Sequence, residues 1–186
     1  MEEEMCRNHG YYISALSSYF RTDPYRAWFS AFEPLLNGAA ASYYFGYGST
    51  ALHTDICSPV ATNPTWSRLG AIDRSTLEAY GGPLWHNLLT LLKPHMVVLS
   101  VAKRHLERIA FEPMDGEWRI IHTFHLTGTG APRSRPYEVR ARWYSIRSEP
   151  SLFVFGAAAQ TPFGVISASQ KGEVGATMLE AYRNGR

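Results

Sequence analysis

The chain has 186 residues, of which 45% are hydrophobic and 18% charged, and its formal net charge is +2. These values are typical of a folded domain and exclude a disordered chain, so we expect one domain over residues 1–186. No apolar run approaches the length of a membrane span. The acidic start Met1-Glu2-Glu3-Glu4 differs from the basic start of an export signal. We therefore expect a cytoplasmic protein without a membrane partner.

Periodicity, caps and breakers predict alternating helices and strands. Asp23-Pro24 is typical of an N-cap followed by proline at the first helical position, and Asn37-Gly38 ends that helix. Pro94 ends a later helix, whose first half is weakened by Gly81-Gly82. In chain order we predict helices over 10–21 and 24–38, a strand over 51–57, a helix over 75–92, a strand over 95–101, a short helix over 103–109, an antiparallel hairpin over 118–127 and 137–146, a strand over 151–155 and a helix over 173–182.

The apolar runs over 95–101 and 151–155 indicate buried strands of the kind that parallel sheets require. The element order predicts an α/β fold with three α/β/α layers, a short mostly parallel central sheet and an inserted antiparallel hairpin. Ligands of such sheets bind outside the carboxyl ends of the strands. The strand ends near Asp55, Ser100 and Gly156 therefore form the predicted working surface.

His53 and Asp55 lie near the first of these ends and are the catalytic candidates. Side chains two apart on a strand point to the same side, so both can face one ligand. A histidine and a carboxylate can share a proton, orient water or read a base edge. The alternative is that Asp55 caps the following loop and His53 belongs to the core. Polar residues in that loop favour function, and the binding candidates among them are Ser58, Thr62 and Asn63.

The segment from Gly156 to Gly164 is rich in small residues, which let a backbone or a sugar-phosphate chain approach closely. Phe163 follows a proline and suits a wedge against bases; the alternative is a tight turn with Phe163 buried. Ser100 and Lys103 stand where a strand runs into a helix N-terminus, a place that suits an anion. The binding candidates in the last loop are Gln160, Thr161, Pro162 and Phe163.

Arginine is unusually frequent and unevenly distributed, with fifteen arginines against three lysines. Arginine binds phosphate through two parallel hydrogen bonds. A stripe of five arginines beside the single acid Glu138 therefore predicts contact with a nucleic-acid backbone, and a solvated strand face is the alternative. The stripe consists of Arg133, Arg135, Arg140, Arg142 and Arg147.

Nothing in the sequence indicates a metal or a cofactor. Cys6 and Cys57 are too few for a disulfide framework or a zinc site, and we expect reduced thiols. His122 and His125 are three apart on a predicted strand, so their side chains point to opposite faces and do not share a metal. The chain has no phosphate loop, dinucleotide fingerprint or nucleophile elbow.

The three strand ends, in this order, resemble the uracil-DNA glycosylase superfamily over about residues 50–182. Leu52-His53-Thr54-Asp55-Ile56-Cys57-Ser58-Pro59-Val60-Ala61-Thr62 is similar to the family's short strand and base-reading loop. Leu84-Trp85-His86-Asn87-Leu88-Leu89 and Val97-Val98-Leu99-Ser100-Val101-Ala102 match its helix and the apolar strand that ends in a small-residue turn. Phe153-Val154-Phe155-Gly156 through Thr161-Pro162-Phe163 matches the last strand and the loop that pushes into DNA.

Two departures from the family bear on the chemistry. Gln160 and small residues stand in the last loop, where the family has its catalytic histidine. Asp23-Pro24-Tyr25 matches the letters of the family's water-activating loop, but no strand is predicted before it, which favours the helix cap. The alternative is that the chain starts just after that loop, with Asn8-His9-Gly10 as its remnant. Both departures argue against ordinary uracil as the substrate.

The resemblance implies a DNA glycosylase that flips and excises a damaged or modified base by hydrolysing its N-glycosidic bond. Asp55 or His53 would read the base or stabilise the sugar cation, and the arginines would hold phosphates. Some relatives defend bacteria by excising hypermodified phage cytosines, and the small alanines suit an enlarged pyrimidine. We expect DNA as the partner and a monomer as the working form.

Two other hypotheses stay open. The missing histidine supports a catalytically silent nucleic-acid-binding module on the same fold. A hydrolase or nucleotide-processing enzyme that acts on a small substrate is the third hypothesis, and no nucleophile motif supports it.

Overall fold

The computed structural model describes residues 14, 18–22, 24–44, 46–58, 62–157 and 163–185. Residues 18–22 are helical, at the end of the first predicted helix. Two 3₁₀ helices cover Trp66–Arg68 and Lys103–Arg108. The α-helices are α1 (Arg26–Phe29), α2 (Glu33–Gly38), α3 (Ala71–Leu92) and α4 (Ala168–Asn184), and the strands are β1 (Ala41–Ser42), β2 (Ser49–Thr50), β3 (Met96–Leu99), β4 (Glu112–Pro113), β5 (Arg119–Leu126), β6 (Pro132–Ile146) and β7 (Glu149–Gly156).

The central sheet is mixed and has the order β3-β7-β6-β4, with β5 also paired to β6. This sheet and its helices confirm the α/β class, and β5 with β6 confirms the predicted antiparallel hairpin. The expectation of a mostly parallel sheet is wrong for the described strands, in which β3–β7 is the one parallel pair of this sheet. The reason is that short turns join β5, β6 and β7, and such turns can connect only antiparallel neighbours.

Each face of the sheet has its own hydrophobic core, because side chains alternate along a strand. Val139 and Val154 face α2 and α4 and are fully buried. Ile146 and Phe153 point to the other face, where they pack with Trp85 of α3. The sheet thus lies between two helical layers, as the three-layer prediction requires.

The helices differ from the predictions mainly at their ends. The predicted helix over 24–38 is divided into α1 and α2, because Pro34 has no amide hydrogen to continue the helical bonding and restricts the residue before it. Helix α3 begins at Ala71, four residues before the prediction, and continues through Gly81, Gly82 and Pro83. Helix α4 begins five residues early, where Ser167 and Gln170 form a capping box. Among the described residues, no helix is long and apolar enough to span a bilayer.

The strand predicted over 51–57 is absent, and this prediction is wrong. Residues 51–55 have no strand partner. Two very short parallel strands, β1 and β2, lie instead between the predicted helix over 24–38 and this segment, and the Ala51 amide makes the last bond of this pairing to the Ser42 carbonyl. The Glu33 carboxylate fixes the same corner, since it accepts from the Ser42 hydroxyl (2.8 Å) and the Tyr43 amide (2.9 Å).

Candidate functional site

The carboxyl ends of β3 and β7 lie side by side, because Leu99 pairs with Phe155 in the parallel register. Ser100 follows β3, and Gly156 is the last residue of β7. The Phe163 amide donates a hydrogen bond of 2.9 Å to Oγ of Ser100. Two of the three predicted segments therefore meet at one edge of the sheet.

The third segment reaches the same edge through Cys57. Its Sγ lies 3.5 Å from Nδ1 of His105, in the 3₁₀ helix that follows β3. On the other side, Gly81 of α3 lies so close that a Cβ there would come within 2.9 Å of the backbone of Cys57 and Ser58. The segment after Asp55 is thus held between α3 and the chain after β3. We call residues 55–58, 100–105, 156, 157 and 163 the carboxyl edge.

His105 is the centre of a hydrogen-bonded chain of side chains. Arg108 donates from Nε to Nδ1 of His105 (3.1 Å) and from Nη2 to Oε1 of Glu78 (2.6 Å). Burial lowers the pKa of His105, and the positive charges of Arg104 and Arg108 lower it further. The Nδ1 atom is therefore unprotonated at neutral pH and accepts hydrogen bonds.

The Cys57 thiol is not set up as a nucleophile. Burial raises its pKa, and the negative charges of Glu78 and Asp55 add to this effect, against Arg108. A cysteine is activated where an imidazole can take its proton. Here Nδ1 of His105 already accepts from Arg108, and an imidazolium would face that guanidinium. The contact between Cys57 and His105 therefore joins two segments and does not generate a thiolate.

His53 and Asp55 lie in different surroundings. Because residues 51–55 form no strand, the alternation that was expected to align the two side chains does not apply. The His53 ring is half-buried, with its centroid 5.5 Å from Phe29 and 5.8 Å from Phe32. This agrees with the core interpretation of His53. Asp55 is exposed at the carboxyl edge and is the more accessible of the two catalytic candidates.

The other candidates of this region are partly available to a ligand. Ser58 is only 8% exposed, beneath Gly81 of α3. Thr62 is half-buried and Asn63 is exposed. Lys103 is exposed at the start of a 3₁₀ helix of six residues, too short to supply the aligned dipole of a long helix.

Phe163 is a core residue, and the prediction that it is a wedge against bases is wrong. It is 1% exposed, and its ring occupies the space that a Cβ of Gly156 would fill. Its φ of 50° is in the left-handed region, as the alternative of a tight turn with a buried ring requires. The candidates Gln160, Thr161 and Pro162 lie outside the described residues, as do Asp23, Cys6 and Asn8-His9-Gly10.

The first two arginines of the predicted stripe differ in availability. Arg133 is committed to the backbone, because it donates from Nε to the Leu126 carbonyl (2.9 Å) and from Nη2 to the Val165 carbonyl (2.7 Å). It thereby ties β5 to the chain before α4. Arg135 is exposed on β6.

The remaining arginines of the stripe have other partners. Arg140 forms a 2.5 Å ion pair with Glu138. The guanidinium of Arg142 lies 5.5 Å from the ring centroid of Tyr144. Arg147 is exposed in the turn between β6 and β7. The five arginines therefore do not form one uninterrupted basic surface.

Sequence reasoning missed the residues that join the segments. Glu78 and Arg108 are 30 residues apart, and Cys57 and His105 are 48 apart, so no local spacing indicates either contact. The exposed Arg104, beside Lys103, was also missed. The only local feature of the sequence that indicated any of these residues was positive charge, since Lys103 and Arg104 are adjacent and follow a buried strand.

A shallow groove of about 390 Å³ lies between β5 and the end of α4. It contains none of the predicted site residues and is lined by Arg119, Ile121, Thr177, Glu180, Ala181, Asn184 and Gly185. In the part of the chain that the structure describes, no group of three or more His, Cys, Asp or Glu side chains is arranged to hold a metal.

Comparison of the chain with protein-family models, with curated proteins and with solved structures finds no match.

Proposed function

We propose that the protein is a DNA glycosylase that receives a flipped base at the carboxyl edge and hydrolyses its N-glycosidic bond. The observation that carries this proposal is the meeting of the segments around Asp55, Ser100 and Gly156. Ligands of α/β sheets bind at the carboxyl ends of parallel strands. The resemblance to the uracil-DNA glycosylase superfamily rests on the same three segments, which supports DNA as the substrate.

Asp55 is the residue to which we assign the chemistry. Breaking an N-glycosidic bond develops positive charge on the sugar, and a carboxylate can stabilise that charge or orient the attacking water. Asp55 is exposed, and two residues later Cys57 is anchored to His105. This contact holds the backbone near Asp55, and a group that is already in place stabilises a developing charge most effectively.

Positively charged side chains near the carboxyl edge can contact the phosphates of a DNA backbone. Lys103 and Arg104 are both exposed and stand four and five residues after the end of β3. Contacts of this kind position a nucleic acid and do not read its sequence. The residue after β7, Ala157, is exposed and small, which supports a base that is larger than an ordinary pyrimidine.

The proposal is tested by base release from a panel of oligonucleotides, single- and double-stranded, that contain uracil, 5-hydroxymethylcytosine or its glucosylated form. Abasic sites are detected by alkaline strand cleavage. We expect release from at least one modified substrate, and at least about a 100-fold loss of rate in Asp55→Asn. The matched control is Asp73→Asn, an exposed aspartate in the first turn of α3, which keeps the wild-type rate. Failure to release a base from any substrate would contradict the proposal.

A catalytically silent DNA-binding module is the second candidate, because residues 156–164 contain no histidine. It differs from the first in one measurable respect. The module would bind DNA in a salt-dependent manner and release no base, and Asp55→Asn would leave its affinity unchanged.

A further inference from the structure

An indole of helix α3 holds the residue that precedes Asp55. The Nε1 atom of Trp85 donates a hydrogen bond of 3.2 Å to Oγ1 of Thr54. Trp85 is only 4% exposed and belongs to the hydrophobic core between α3 and the sheet, where its ring centroid lies 6.5 Å from that of Phe153. An indole has a single donor, which needs an acceptor when it is buried. Thr54 supplies that acceptor.

The same helix also holds the chain after Asp55. Gly81 lies one turn before Trp85 on the buried face of α3, and a Cβ at Gly81 would come within 2.9 Å of the Cys57 backbone. The chain is thus held one residue before Asp55 and two residues after it. Within residues 53–58, Asp55 is the exposed residue. Helix α3 therefore fixes the backbone on both sides of a carboxylate that faces solvent.

The hydrogen bond to Thr54 restrains more than one side chain. Threonine is branched at Cβ and has few χ1 rotamers, so an anchored Oγ1 also restrains the backbone from which Asp55 continues. A carboxylate that acts on a developing charge is most effective when it is already in place, and a misplacement of about 1 Å can cost about 100-fold in rate. Trp85 is too deeply buried to contact DNA, so an effect of its N–H group on the reaction would pass through Thr54.

We propose that Trp85 is a positioning residue, whose indole N–H places Asp55 for the reaction through its bond to Thr54. This role rests on the proposed glycosylase function, because it concerns the reaction that we assign to Asp55. Loss of the bond should slow base release and leave the affinity for DNA nearly unchanged, since neither Trp85 nor Thr54 brings a charge to the phosphates. A bond that only stabilised the fold would instead act on the whole domain.

Two substitutions of Thr54 separate the hydrogen bond from the space that the side chain fills. Thr54→Val keeps the volume and removes the acceptor, whereas Thr54→Ser keeps the hydroxyl. In single turnovers, Thr54→Val should release the modified base about 10- to 100-fold more slowly, with a Kd for the oligonucleotide within about twofold of wild type. Thr54→Ser should stay within about threefold of the wild-type rate. The matched control is Thr76→Val, which removes a hydroxyl of α3 that bonds to the Ile72 carbonyl (3.0 Å) and should keep the wild-type rate.

The substitution Trp85→Phe tests the other partner of the bond. It removes the N–H group and keeps an aromatic ring in the core. It should slow base release as Thr54→Val does, and the double variant should be no slower than the slower single variant, because both substitutions remove the same bond. Additive effects in the double variant would show that Trp85 acts by another route and would overturn the proposal.

Hydrogen–deuterium exchange of the full chain without DNA tests the bond independently of activity. Thr54→Val should raise exchange in peptides that cover residues 53–58 and leave residues 168–184 unchanged, and Thr54→Ser should keep the wild-type pattern. Unchanged exchange over 53–58, an equal rise over 168–184, or base release by Thr54→Val at the wild-type rate would overturn the positioning role while the proposed function stands. Absence of base release from wild type would overturn the proposed function, and with it the role of Trp85 in that reaction.

Discussion

A single imidazole joins parts of the chain that are far apart in sequence. His105 accepts from Arg108, contacts Cys57 at 3.5 Å and is connected through Arg108 to Glu78. Its Nδ1 atom can accept from Arg108 only while it carries no proton. Protonation of His105 would therefore break its hydrogen bond to Arg108, close to the segment that carries Asp55.

The buried position of His105 makes stability depend on pH. Burial and the charges of Arg104 and Arg108 lower its pKa below 6.5 in the folded state, so the unfolded state binds more protons as the pH falls through this region. The free energy of unfolding should therefore decrease from pH 7 to pH 5, by at most about 1.4 kcal/mol per pH unit for one proton. Urea unfolding at several pH values measures this slope.

Two variants show whether His105 or another histidine causes the pH dependence of stability. His105→Asn keeps an acceptor oxygen near Nδ1 but does not titrate, so its slope should be smaller than that of wild type. His125→Asn, at an exposed position of β5, should keep the wild-type slope. Equal slopes in wild type and His105→Asn would show that the imidazole is not the source.

Residue roles were predictable only where they depend on the local sequence. The capping box of Ser167 and Gln170 is a local signal of this kind, although the predicted helix began only at residue 173. The contact of His105 with Cys57 depends on how two distant segments pack, and no periodicity records it. The burial of Phe163 has the same explanation, since its ring fills the space above Gly156 in another element.

At the scale of elements, α2 and α4 pack unusually closely because glycines line their contact. A Cβ at Gly38 would overlap the Gly172 carbonyl, and a Cβ at Gly175 would overlap the Leu35 carbonyl. The backbones touch where a side chain would otherwise separate them. Lys171 reinforces the contact, since its Nζ donates to the Ala31 carbonyl at 2.9 Å.

Two glycines of α4 should respond to alanine with opposite signs. Gly175→Ala should destabilise the protein by about 1–3 kcal/mol, because the new methyl group has no space beside α2. Gly172→Ala should stabilise it by about 0.5–1 kcal/mol, because its nearest neighbour would be the Pro34 carbonyl at 3.7 Å and alanine favours a helix. Urea unfolding followed by tryptophan fluorescence measures both. A stabilised Gly175→Ala would contradict the close packing.

Elements with strong apolar patterns were predictable, and those held by tertiary contacts were not. The hairpin β5–β6 and the strands β3 and β7 follow from runs of apolar and alternating residues. The segment over 51–57 has a similar composition but forms no strand in the described part of the chain, because the pairing of β1 with β2 ends at Ala51. Helix α3 continues through two glycines and a proline, and the first of them, Gly81, allows the close approach of Cys57.

At the scale of the whole molecule, the site depends on topology more than on charge. The parallel pair β3–β7 brings Ser100 and Gly156 to one edge, as the order of the apolar runs predicted. The arginine stripe, which the sequence made prominent, is divided among backbone, carboxylate and aromatic partners. The order of the apolar runs in the sequence indicates where the strand ends lie. The partner of a long arginine side chain depends on the assembled fold.

If the carboxyl edge is the surface that receives DNA, binding of an oligonucleotide should slow hydrogen–deuterium exchange at that edge. Exchange is measured by mass spectrometry with and without an excess of an oligonucleotide that contains the modified base. We expect slower exchange in peptides that cover residues 53–58 and 100–108, and unchanged exchange in 119–126 and 177–185. Protection confined to the hairpin or to the end of α4, with none at the carboxyl edge, would contradict it.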